Sequence, residues 1–206
     1  METAFDLHTN VLFAARWIHY VAGIIWIGHL YFFNFVNANF AKTLDASCKQ
    51  KVVPELMPRA LFWFRWGAMF TLLSGLTIII WKLWIASDAG FAGDVGLMTS
   101  SWGQWSSFGA LLGIIMWFNV WFIIWPAQRK IIPAIKAGKA PDAALVKRAT
   151  HVSKINTYLS IPMLFGMGAA SHLPQFNFLI MIGALLLGST VAWLAFAGAP
   201  KISTKV

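Results

Sequence analysis

An all-α membrane bundle of five transmembrane helices is the fold this sequence predicts, and three observations carry the prediction. Of its 206 residues, 59% are hydrophobic and 11% charged, against roughly 45–50% apolar and about 25% charged in a soluble domain. Apolar runs of about 20 residues, each enough to cross the hydrocarbon as a helix, recur five times. Lysine and arginine gather in the connections between those runs, the pattern that sets membrane topology.

The five spans cover roughly residues 11–36, 60–85, 105–126, 153–173 and 176–198, a single transmembrane domain with no internal repeat. Trp17, Trp63, Trp84, Trp105 and Trp125 mark their ends, as aromatic side chains do at membrane interfaces. The first connection carries Lys42, Lys49, Lys51 and Arg59. The third carries Arg129, Lys130, Lys136, Lys139, Lys147, Arg148 and Lys154, and the tail adds Lys201 and Lys205. The first ten residues, the 88–102 loop and the 173–175 turn carry none. This asymmetry places the N-terminus outside and the C-terminus in the cytoplasm of a bacterial inner membrane, as a multi-pass protein. Glu2, Asp6, Asp88 and Asp94 then give the outer face a mildly acidic surface.

Breakers fit the same division. Pro54 and Pro58 precede the second span, and Pro126 and Pro133 close the third. Residues 137–142 (A-G-K-A-P-D) read as a loop in which Asp142 caps the next helix. Pro162 is expected to kink the fourth span, and Pro174 to end it. The formal charge of +9 lies between hydrophobic runs, so nucleic acid is not the expected partner. The acidic N-terminus lacks the basic region of a cleavable signal peptide. Cys48, alone in a polar loop, permits neither an internal disulfide nor a C-x-x-C-H haem attachment.

The first span is where chemistry enters. Residues 15–36 carry Arg16, His19 and His29 in an otherwise apolar run, and ionisable groups in lipid normally face a partner, a cavity or a cofactor. Helical spacing puts His19 on one face with Arg16, Ala22, Gly23 and Trp26. Small residues one turn from a histidine leave room for a flat macrocycle; the same pattern also marks a tight helix–helix contact with His19 hydrogen-bonded across it. Arg16 is placed to pair with haem propionates or to snorkel to headgroups. Arg65, in the second span, suits an inner cofactor, an internal network or snorkelling. His29 lies about 15 Å further along and roughly 80° round the helix.

The fourth span runs the opposite way and carries His151 and His172. Depth therefore pairs His19 with His172 on the outer side, and His29 with His151 on the inner side. Two neutral imidazoles are a common b-type haem ligation, so His19 and His172 are the first candidates for metal ligands. His8 is a weaker outer candidate, and Met163 and Met167 are alternative sixth ligands or packing. Asn119, Asn156, Thr157, Tyr158 and Ser160 are polar groups at membrane depth that can bond across helices or line a quinone pocket. No hydrolytic metal motif, phosphate loop or nucleophile elbow is present.

Three stretches carry a resemblance: R-W-I-H-Y-V-A-G-I-I-W-I-G (16–28), M-P-R-A-L-F-W-F-R-W-G-A (57–68), and N-T-Y-L-S-I-P-M-L-F (156–165) followed by S-H (171–172). Together they resemble the transmembrane part of the membrane-bound urate hydroxylase (PuuD-like) family. The first is also loosely similar to membrane haem proteins of the protoporphyrinogen-oxidase (HemJ) and copper-resistance D types. Full-length urate hydroxylases of this kind end in a c-type cytochrome domain, so this chain corresponds to a short form without one. The resemblance implies a haem-binding bundle with His19 and His172 on the matching motifs. The reading that follows is a b-type haem protein in electron transfer, with one haem b and topological room for a second at His29 and His151. Its expected partners are lipid, a periplasmic cytochrome, a quinone or a larger oxidoreductase complex, with oligomerisation open. Two alternatives stand beside it: an enzyme oxidising urate or another purine and passing electrons to a separate cytochrome, and a non-catalytic subunit of a respiratory or oxidase complex.

Overall fold

A computed structural model of the chain describes residues 6–85 and 97–202, which are almost entirely helical and contain no strand. Glu2, Asp88, Asp94 and Lys205 lie outside the described residues. Helix α1 (Leu7–Tyr31) continues through a π-helical turn, Phe32–Asn37, into the short α2 (Ala38–Thr43). Helix α3 (Ala46–Ile80) ends in a second π-helical turn, Trp81–Ile85. Helix α4 (Ser101–Phe118) passes through a third, Asn119–Ile124, into α5 (Trp125–Lys136). Helices α6 (Ala143–His172) and α7 (Phe178–Gly198) complete the bundle. Four continuous rods are long and apolar enough to cross a membrane: Leu7–Thr43, Ala46–Ile85, Ser101–Lys136 and Phe178–Lys201. The remaining helix, α6, has the length at 30 residues, but Asn156, Thr157 and Ser160 make it polar where it is most buried.

The rods outrun the expected spans because their polar ends are helical too. Asp45 starts α3, its carboxylate accepting from the Cys48 N–H at 2.8 Å, well before residue 60. Pro54 and Pro58 thus fall inside α3 rather than ahead of it. The carbonyl that Pro58 leaves without a donor belongs to Pro54, four residues back in this polar first part of the helix. Pro126 likewise stands at the start of α5, directly after the π-helical turn, rather than closing the third span. Asp142 caps α6 as its position predicts, accepting from Ala144 N–H at 2.8 Å. The preceding loop turns at Gly138, whose φ of +69° suits a residue without Cβ.

Cross-links tie the ends of antiparallel neighbours. At one end the His8 and Trp81 rings meet at 5.9 Å, and the Ser101 hydroxyl donates to the Leu173 carbonyl at 2.9 Å. At the other, Gln50 Nε2 donates to the Lys136 carbonyl at 3.1 Å. The basic residues of the first and third connections gather at this second end, but the first end also holds two cations, Arg16 and Lys82. Trp105 departs from its expected interfacial place. It is fully buried, with its indole N–H donating to the Gln175 carbonyl at 3.3 Å and its ring 4.7 Å from Phe176.

The core runs through Trp26, Leu30, Phe64, Met116, Val120 and Met163. With lipid outside, helices gain little from apolar burial and associate through close packing and interhelical hydrogen bonds. Both are present. Gly109 and Gly166 let the α4 and α6 backbones touch, and Gly188 of α7 receives the ring of Pro162, through which α6 runs unbroken. Asn119 Nδ2 donates to Asn156 Oδ1 at 2.8 Å, and Asn156 Nδ2 to the Met116 carbonyl at 3.0 Å. Asn34 Nδ2 donates to Ser153 Oγ at 2.8 Å, and the Tyr31 and Ser160 hydroxyls pair at 2.9 Å.

The caps make the helix starts acid-sensitive. The Thr9 hydroxyl, then the His8 and Thr9 amides, hold the Asp6 carboxyl below its ordinary range. The Cys48 amide and the Ser47 hydroxyl do the same for Asp45. A depressed folded-state pKa stabilises above the unfolded value and is lost as pH falls through the folded one. Amide exchange in the first turns of α1 and α3 is therefore expected to quicken below the normal aspartate range. Asp6→Asn and Asp45→Asn should each remove that response from its own helix; an unchanged pH profile would refute the assignment.

Candidate functional site

Between α1, α3, α4 and α6, toward the end that carries Asp6 and His172, the helices leave a cleft enclosing about 1030 Å³ of empty space, its open mouth included. The part of it that a water-sized sphere can enter is about 170 Å³. Arg16, His19, Tyr20 and Trp26 of α1 form one wall. Thr71, Gly75, Ile78 and Ile79 of α3 form the second. Trp102, Ser106, Ala110 and Gly113 of α4 form the third, and Met163, Met167, Ala170 and Ser171 of α6 the fourth.

His19 is the one histidine in these walls, and its ring is held on one side. Its Nδ1 lies 3.2 Å from Ser74 Oγ. The Ser74 hydroxyl itself donates to the Phe70 carbonyl at 2.6 Å, so its oxygen faces the imidazole as an acceptor. The network therefore assigns the proton to Nδ1 and leaves Nε2 with its lone pair. The ring rests on Gly75, where an added Cβ would lie 3.1 Å from His19 Cε1 and 3.3 Å from Nδ1. A histidine with one nitrogen tied to a hydrogen-bond acceptor and the other free is the usual arrangement of a metal ligand. Trp26, 2% exposed, lines the same cleft, and its buried indole N–H has no hydrogen-bond partner.

The other expected site residues divide. Arg16 lines the mouth and is exposed. Gly23 is not in the wall; a Cβ there would meet nothing within 4 Å. Its neighbour Ala22 packs against Gly67 of α3, a helix contact rather than a platform for a ligand. Arg65 stands about 15 Å along α3 from Gly75, with its guanidinium 3.9 Å over the Trp125 ring. His172 is exposed, outside the cleft wall, with Nδ1–H donating to the Gly168 carbonyl at 2.8 Å. Met163 and Met167 instead occupy the wall that His172 was expected to supply. His29 is half-buried and donates from Nδ1 to the Ile25 carbonyl at 2.7 Å, and His151 is exposed on α6. Among the described residues no three His, Cys, Asp or Glu side chains gather as a metal cluster.

The sequence does not single out the cleft residues Thr71 and Gly75 on α3 or Trp102 and Ser106 on α4, nor Ser74 bonded to His19 and Lys82 against Trp102. The available signals were modest. T-L-L-S-G (71–75) is a polar and small interruption at helical spacing within an apolar span, and W-K-L-W (81–84) puts a lysine at the end that otherwise lacks them.

Comparison with known proteins adds the lineage. No curated protein and no solved structure matches the chain. A family model described as urate oxidase N-terminal matches residues 93–197, just over half of the chain. The match takes in α4, α5, α6 and nearly all of α7, and so two walls of the cleft, Met163, Met167 and His172 included; the His19 wall precedes it. With its four membrane-length apolar rods, the chain is a multi-pass membrane protein that belongs to the urate oxidase N-terminal family.

Proposed function

We propose that the protein is a b-type haem protein of the bacterial inner membrane that passes electrons between a periplasmic partner and a quinone or associated oxidoreductase. The observation that carries this reading is His19, which lines an apolar cleft with Nδ1 engaged by Ser74. The residues fit the group: one oriented imidazole, a thioether wall opposite, an unpartnered indole N–H and a cationic mouth. A bound haem would supply one-electron redox chemistry. His19 would hold it from α1, and Met163 or Met167 would complete the coordination from α6 in place of the His172 first expected; histidine–methionine ligation favours a high potential. Ser74 orients the imidazole, Trp26 and the aliphatic walls exclude water, and Arg16 at the mouth would meet the carboxylates. We keep one haem per chain, because His29 is engaged within its own helix and His151 is exposed. The charge asymmetry supports an N-terminus outside, which puts the cleft mouth on the periplasmic side.

The family match favours a second reading of the same site, in which urate or another purine is the electron donor at the mouth. Purified protein is expected to show a Soret band, reduced α and β bands, and one haem per chain by pyridine haemochrome. Absence of the bands sinks the haem reading. Reduction of the haem on adding urate would select the enzymatic one, and unchanged spectra would favour simple electron transfer.

A further inference from the structure

We propose that Lys82 joins Arg16 in a carboxylate-binding rim at the cleft mouth, held in place by Trp102, and that the rim takes the two carboxylates of a porphyrin seated on His19. The inference rests on the haem reading and adds a residue that neither the spacing on α1 nor the family match indicates.

Lys82 lies in the π-helical turn Trp81–Ile85 that ends the α3 rod. Such turns recur at functional sites, where they re-aim side chains relative to the helix before them. Here Lys82 reaches across to α4, with its ammonium 4.1 Å from the centroid of the Trp102 ring. Trp102 is itself part of the cleft wall. Arg16, on α1, lines the same cleft. Two cationic side chains thus border one apolar cleft, Arg16 in its wall and Lys82 against Trp102. The ion pair found among the described residues, Arg59–Glu55, belongs to the polar first part of α3. Holding two cations at the edge of a low-dielectric space costs free energy that an anion between them would recover. Arg16 offers a planar fork to one carboxylate, Lys82 a mobile point charge to another, and the cation–π contact with Trp102 keeps Lys82 at the rim when the site is empty. A ligand with a flat apolar body and two carboxylates on one edge matches a dry cleft with two cations at its mouth.

The test uses the full chain in detergent, loaded either with haem or with haem dimethyl ester, whose carboxylates are neutral, and follows loss of each to excess apomyoglobin. Wild-type protein is expected to lose the diester at least about tenfold faster than haem, the effect of a charge-assisted contact removed. Lys82→Met should speed haem loss about tenfold and leave diester loss unchanged, while Lys82→Arg stays near wild type. Equal loss of the two porphyrins from wild type overturns the rim and leaves the haem reading standing; it would point to lipid phosphate as the anion that Lys82 meets. Equal acceleration of both by Lys82→Met makes Lys82 structural and overturns it too. Failure of either porphyrin to give a Soret band overturns rim and haem reading together.

Discussion

His19→Ala is expected to abolish haem retention, with the Soret band lost from protein that is still helical and still inserted. His19 is half-buried, contacts α3 through Ser74 and Gly75, and has no part in the buried Asn34, Asn119 and Asn156 bonds that join the helices elsewhere. Its removal therefore deletes a ligand without dissolving the bundle, and circular dichroism of the same sample makes that distinction. His172→Ala is expected to leave the band in place, since His172 is exposed and turned to its own Gly168 carbonyl. Met167→Leu should shift the potential or the α band if the thioether is the sixth ligand. Ser74→Ala gives the graded case. It keeps the ligand and removes the acceptor that fixes its tautomer, a change that usually costs about 10–100-fold in metal-site affinity. Loss of the band in His172→Ala, with retention in His19→Ala, would reverse the assignment of the two walls.

The second large effect is structural. Gly166→Ala should destabilise the bundle by about 1–3 kcal/mol, the range for overpacking a close contact. An added Cβ there would lie 2.8 Å from Phe108 Cδ1, 3.0 Å from Gly109 N and 3.1 Å from Gly109 Cα. The phenyl ring can swing away, but the Gly109 backbone cannot retreat without moving α4. Gly168→Ala, two residues on in the same helix, is the control. Its Cβ would meet nothing within 4 Å, and replacing glycine by alanine in a helix gains up to about 1 kcal/mol. Unfolding in mixed micelles should therefore separate the two variants with opposite signs. Similar shifts for both would mean that α4 and α6 do not pack through these glycines. A Cβ added to Gly109 would likewise lie 3.1 Å from Met167 N, so splaying this seam would also widen the His19 cleft.

Hydropathy and charge made the helical bundle legible, because lipid leaves a spanning chain little choice but to satisfy its backbone within each segment. Helix ends were less legible. Pro54, Pro58 and Pro126 read as boundaries, yet the first two lie in the polar first part of α3 and Pro126 follows a π-helical turn within a continuous rod. On α1, the spacing of Arg16, His19 and Trp26 was enough to place all three in one cleft. The same spacing also named Gly23, which does not line the cleft, because a periodicity names a face but not what stands opposite it. His172 was paired with His19 by depth and by the motif resemblance, and neither says which way a side chain turns. On α6 the face toward the cleft carries Met163, Met167 and Ser171, and the next residue round points out.

By itself, then, the sequence determined that this is a multi-helix membrane protein and that a histidine stands in its first apolar span, where the cost of polar groups in hydrocarbon makes it conspicuous. Only the tertiary structure decided what that histidine faces. Ser74, Gly75, Trp102 and Lys82 come from other helices, and their meeting with His19 depends on glycine contacts and a π-helical turn that no one-dimensional pattern encodes.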